Sequence, residues 1–188
     1  MPKICTIETC SVALLCKIKD CLSPIPHDEI IFRSPYHQHT NDYTVGVCLY
    51  DIGDNSPSQT AGSVYRQIDN GSVLRTPPPK LVELRYMLYV NESAKFGERQ
   101  IETEHKIFSK LIDAVYVAPY LGERELPIFF SFLSLEEKFS LWQGFSQPMQ
   151  TALYLNAGPL PIDASRSEII PIVDSLGVNA ERKKECLE

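Results

Sequence analysis

Long apolar runs are missing from this chain. Near its N-terminus the longest is Val12 to Cys16, and no stretch approaches the roughly 18 apolar residues that a membrane-spanning helix requires. The segment MPKICTIETCSVALLCKIKDCLS has charges interrupting its apolar residues and no small-residue cleavage site, so synthesis and folding are expected in the cytoplasm, without a secretory leader or a membrane partner. Also absent are a P-loop, a GxGxxG turn and a GxSxG elbow, which removes the common phosphate-cradling and nucleophile-presenting motifs. Clustered basic residues are lacking too. A net charge of −6 argues against a general nucleic-acid binder, which neutralises phosphates with grouped Lys and Arg.

Cysteine is present, but not in a metal-binding pattern. The six are Cys5, Cys10, Cys16, Cys21, Cys48 and Cys186, with no CxxC, and the first four lie five, six and five residues apart. That spacing does not gather four thiolates on one helix, so no zinc site is expected. In a reducing compartment these side chains serve as small semi-apolar thiols. No internal repeat or low-complexity segment is visible.

What is there fits an ordinary globular protein: 188 residues, 44% hydrophobic and 22% charged. A chain of this length buries roughly 70% of its unfolded surface and needs no disulfide or metal for stability. The clearest pattern is Pro77–Val90, PPPKLVELRYMLYV. Val82, Leu84, Tyr86, Leu88 and Val90 alternate with Glu83, Arg85, Met87 and Tyr89, the period of a strand with one face buried. The three prolines mark its start, because proline cannot donate to a ladder.

The rest of the chain arranges itself around that strand. Ile4–Leu22 predicts a helix with Ile4, Ile7, Leu14, Leu15, Ile18 and Leu22 in one stripe and the cysteines flanking it. Ser23-Pro24-Ile25-Pro26 stops it. Ile30–Phe32 is a short strand and Tyr43–Ile52 a longer one, apolar on both faces and so interior. Ser63–Ile68 and Ser72–Arg75 flank Asp69-Asn70-Gly71, a hairpin signal. Gly97–Tyr116 predicts the longest helix, with Ile101, Phe108, Leu111, Ile112, Val115 and Tyr116 on its apolar face and His105 among them. Leu126–Leu133 has strand length. Ser134 is an N-cap for a short helix from Leu135 to about Trp142, and Thr151–Asn156 is a last strand. Beyond Ala157 lie Pro159, Pro161 and Pro171 and few patterns. The expected fold class is α+β: a mixed, mainly antiparallel sheet with two main helices packed on one face. The expected domains are one unit over residues 1–165 and a C-terminal tail or arm over 166–188.

Candidate chemistry is sparse. His37 and His39 form the one close histidine pair, in a polar loop with Asp42; the context favours an exposed loop over a metal site. Glu83 and Arg85 share a strand face but have no second titratable group to set an acid and a base apart. Arg99, Lys106 and Lys110 alternate with Glu98, Glu102 and Glu104 on a solvated helix face. His105 and Trp142 read as packed residues. No catalytic residue, cofactor or metal is expected, and the chain does not read as an enzyme.

Three blocks, taken in order, resemble one family. They are SVYRQIDNGSVLRTPPPKLVELRYMLYV, EHKIFSKLIDAVYVAPYL and SLEEKFSLWQGFSQPMQTALYLNAGPLPIDAS. Together they resemble the N-terminal domain of the cap, or tail-terminator, protein of contractile injection systems, phage-tail-like particles, over about residues 3–165. The resemblance implies a tail-terminator-like fold and a non-enzymatic role. It implies a homohexameric ring that ends polymerisation of the inner tube and outer sheath and anchors the last sheath layer. Sheath protein, tube protein and self would be the partners, with assembly in the cytoplasm into a particle that can be released. Under this reading Glu83, Arg85, Met87 and Tyr89 are the first place to seek a partner interface, with Ile169, Ile170, Ile172 and Val173 in the tail making extended contacts. The alternative is a small-ligand or regulatory α+β binding domain using the 34–42 loop.

Overall fold

The computed structural model describes residues 6–37, 42–55, 62–69, 72–91, 100–122, 126–162 and 168–171. The chain divides into two compact units, residues 1–59 with 79–163, and residues 60–78 with 164–188.

The larger unit is a six-stranded sheet with helices on both faces. The strands are β1 (Ile30–Phe32), β2 (Val45–Asp54), β5 (Lys80–Val90), β8 (Ala152–Ile162), β7 (Leu126–Phe130) and β6 (Tyr120–Leu121), in that spatial order. β1 runs parallel to β2, and the other neighbours are antiparallel. The predicted mixed, mainly antiparallel sheet is therefore present, with β5 at its centre.

β5 works as its alternation requires. Leu84, Tyr86, Leu88 and Val90 enter one core with Val45, Val47, Leu155 and Ala157. Helices α1 (Ile7–Cys21) and α2 (Gln100–Val117) cover it with Cys10, Leu14, Ile18, Ile107, Phe108, Leu111 and Val115. These are the two main helices on one face. Cys10 lies in the middle of the α1 stripe, four residues before Leu14 and eight before Ile18, rather than on its flank, and is fully buried. α1 starts at an N-cap, Thr6, whose hydroxyl accepts from the Thr9 N–H. On α2 the buried face is turned relative to the sequence expectation. Ile107 joins it, while Ile101, His105 and Tyr116 are exposed.

The strand expected to end at Asn156 continues to Ile162 and contains Pro159 and Pro161. Proline is tolerated here because β7 pairs only with Leu155–Ala157, so β8 is a local edge beyond that point. Pro161 lies opposite Leu81, whose carbonyl accepts instead from the Asn55 N–H on the β2 side. Leu160, between the prolines, is fully buried.

The smaller unit is a three-stranded antiparallel sheet in the order β3 (Val64–Asp69), β4 (Ser72–Thr76), β9 (Glu168–Pro171). The hairpin forms where it is predicted. Residues 168–171, read from sequence as part of a tail, pair with β4: Ile169 lies opposite Leu74 and Ile170 opposite Val73.

Candidate interaction surfaces

The face of β5 proposed from sequence as a partner contact separates into two halves. Met87 and Tyr89 are fully buried. With Tyr43, Cys48, Tyr154 and Trp142 they form a second core, covered by helix α3 (Leu135–Gly144). This corrects the expectation for both residues, because the chain's own helix occupies the face where a partner was expected. The physical reason is legible in hindsight: Met87 and Tyr89 make this end of β5 apolar on both sides, the pattern of a strand buried on both faces.

The second core is held by directional contacts. Trp142 Nε1 donates to Tyr154 Oη at 3.1 Å, and the Trp142 and Tyr89 rings meet edge-on at 6.0 Å. Tyr89 Oη donates to the Arg33 carbonyl at 3.1 Å. Its single proton is thereby committed, so Tyr43 donates the bond across the 3.2 Å between the two hydroxyls. Burial drives the Tyr89 hydroxyl's pKa far above its ordinary value. Gly46 lies opposite Tyr89. A Cβ at that position would come within 2.3 Å of the Tyr89 ring, so the tyrosine occupies the space a side chain would need.

Glu83 and Arg85 belong to a polar ladder crossing three strands. Arg85 Nη1 donates to Asp51 Oδ2 at 2.9 Å, and its Nε lies 3.4 Å from Glu83 Oε1. Asn156 Nδ2 donates to the same Glu83 oxygen at 3.0 Å. Gly53 gives the guanidinium room, since a Cβ there would lie 3.1 Å from Arg85 Nη2. The Asp51 and Arg85 side chains are close to half exposed, so a partner can reach the ladder. Pairs at this exposure are worth under about 1 kcal/mol each.

The other candidates are placed as follows. Ile169 is exposed on β9; Ile170 is in the same strand by its backbone; Ile172, Val173 and His39 lie outside the described residues. His37 ends a short 3-10 turn, Pro35–His37. Among the described residues no group of three or more His, Cys, Asp or Glu could hold a metal, and no helix is long and apolar enough to cross a membrane. Cys10, Cys16, Cys21 and Cys48 are free thiols. Burial pushes Cys10 and Cys48 up to about 11, opposite to the depressed pKa of a nucleophilic cysteine. The crevice between α1, α2 and the sheet is lined by core residues such as Leu14, Ile18, Leu111 and Leu155.

Exposed apolar side chains were the surface feature that sequence reasoning missed. Tyr116, Val117, Phe129, Phe132, Leu135 and Phe139 are all exposed, as are Val64, Tyr65 and Ile68 on β3. The Phe-Phe-Ser-Phe run of residues 129–132 was a visible signal. Its reading only as an apolar run of strand length, Leu126–Leu133, concealed it.

Two solved structures share the architecture across most of the chain. One is described as an extracellular contractile injection system, "PVC sheath/tube terminator in extended state". It superposes with a TM-score of 0.67 at 15% identity, over 100% of this chain and 67% of that one. The other, "the anti-feeding prophage cap (AFP tube terminating cap)", gives 0.66 at 19% identity over 91% of this chain and 60% of its own. No curated protein matches. The chain thus spans about two thirds of the lengths of these structures, and at such identities they establish the fold. The model of the Pvc16 N-terminal domain matches residues 12–174, most of the sequence, so this chain belongs to the Pvc16 N-terminal domain family.

Proposed function

We propose that this chain is a structural cap, or tail terminator, of a contractile injection particle. In this reading six copies form a ring that stops growth of the inner tube and outer sheath and anchors the last sheath layer. The agreement of the comparisons carries the proposal: the model of the Pvc16 N-terminal domain matches residues 12–174, and the fold agrees over 91–100% of the chain with two structures described as tube terminators. The absence of a catalytic constellation among the described residues is compatible with it but does not carry it.

The physics of the role suits the smaller unit. A growing polymer end presents unpaired edges, and a cap must satisfy them without offering a new growth surface. β3 is an edge strand with Val64, Tyr65 and Ile68 exposed, and β9 is an edge strand with Ile169 exposed. Both are suited to addition of an extended sheath segment. In this proposal the C-terminal residues Ile169, Ile170, Ile172 and Val173 act as an arm on sheath, and the Glu83–Arg85 ladder supplies a polar contact.

The test is a polymerisation assay with purified sheath and tube proteins of a contractile injection particle. Added at substoichiometric amounts, the chain should bind particle ends and halt elongation. Unchanged lengths, together with no co-sedimentation, would sink the proposal.

A further inference from the structure

The six-stranded sheet has two open ends, and both are lined with exposed apolar side chains. At the first end, β6 covers only Leu126 and Pro127 of β7. The Ile128 N–H points outward to the Pro119 carbonyl, whereas Ser131 N–H points inward to Tyr154. By alternation the backbone groups of Phe130 also point outward, and among the described residues no strand lies beyond them. Around this edge stand Tyr116 and Val117 at the end of α2, Phe129 on β7, and Phe132, Leu135 and Phe139 in the connection and first turns of α3. Phe132 is 91% exposed and Val117 84%.

At about 150–250 Å² for each aromatic ring and somewhat less for Leu and Val, those six side chains expose on the order of 700 Å². The largest apolar patch of a typical monomer is about 300–600 Å², and one partner's share of a standard interface is about 800 Å². Taken together, these side chains have the area of one half of a stable contact.

At the opposite end, β1 is the edge. The Arg33 N–H and the Glu29 carbonyl point inward to β2 residues and its approach, which turns the backbone groups of Ile30 and Phe32 outward. Phe32 and Tyr36 are exposed there.

We infer that the β6–β7 end of one copy docks against the β1 end of the next. This rests on the ring reading above and assigns it a surface. A second copy is the occupant that area and topology favour, because each copy supplies the missing edge of the other. Two different patches make a head-to-tail contact, and head-to-tail contacts close into rings or run on as filaments. Edge-to-edge approach is the hazard that an open apolar edge carries in a monomer; here it is the assembly contact.

The experiment uses the full chain in sedimentation velocity. Phe132→Asp and Tyr36→Asp are each expected to weaken self-association at least tenfold while leaving the thermal transition in place. Val117→Asp serves as a second probe of the first end should Phe132→Asp misfold. Mixing Phe132→Asp with Tyr36→Asp is decisive. Each retains one good end, so the mixture should form 1:1 heterodimers and nothing larger. A variant that assembles like the parent chain, or a mixture that stays monomeric, overturns the docking assignment and leaves the cap reading to the polymerisation assay. A parent chain that stays monomeric at high concentration yet still halts elongation overturns this inference alone.

Discussion

Tyr89 and Gly46 make the second core a matter of single atoms. Replacing Gly46 with Ala forces a Cβ into the Tyr89 ring and should cost about 1–3 kcal/mol, the usual penalty for overpacking, measured by denaturant unfolding. Trp142→Ala should cost more, about 3–5 kcal/mol, because it empties a fully buried site and removes the donor to Tyr154. The buried thiols carry a pH signature. Cys10 and Cys48 ionise near 9.0 when unfolded and near 11 when folded. Between those values the folded state holds protons that the unfolded state has lost. Stability is therefore complete below about pH 9 and falls as the pH rises toward 11. Thermal melts from pH 8 to 11 should show this decline, and Cys48→Ala should reduce its pH slope.

Helix α3 is the element that decides what the β5 face does. It is short, and its start is fixed locally: Ser134 Oγ accepts from the Glu137 N–H, and the Glu137 carboxylate accepts from the Ser134 N–H, the reciprocal box that satisfies two helix-end donors. Ser134→Ala should lower the melting temperature by ~2–4 °C, the shift that about 1 kcal/mol produces in a chain of this size, and a differential scanning experiment reads it directly. The capping signal was visible in Ser-Leu-Glu-Glu; the helix's destination was not. Periodicity reports that a face is apolar, not which neighbour covers it, so Met87 and Tyr89 looked available when Trp142 had already claimed them. β8 shows the same limit. Its prolines marked an end in sequence, but a strand that loses one neighbour can carry proline on the vacated side.

At the scale of the molecule, the proposed cap role assigns stability to the larger of the two units and attachment to the smaller. Deleting residues 166–188 removes β9 from β4 but leaves the strands and helices of the larger unit whole. The truncated chain should keep the main thermal transition and lose affinity for sheath in co-sedimentation; loss of the main transition would show that the C-terminal residues belong to the core.

The sequence by itself determined the α+β class, the central strand Leu81–Val90, the hairpin and the three helices, because alternation, capping and turn chemistry are local and are written in neighbouring residues; the family came from the resemblance of three longer blocks. The tertiary structure decided which apolar faces were consumed. It buried Met87 and Tyr89, moved Cys10 to the centre of a core, exposed His105, and left Phe129, Phe132 and Val117 on the surface. Burial depends on what arrives from distant sequence. A side chain's hydrophobicity sets how strongly it seeks cover, while topology sets whether the cover comes from its own chain.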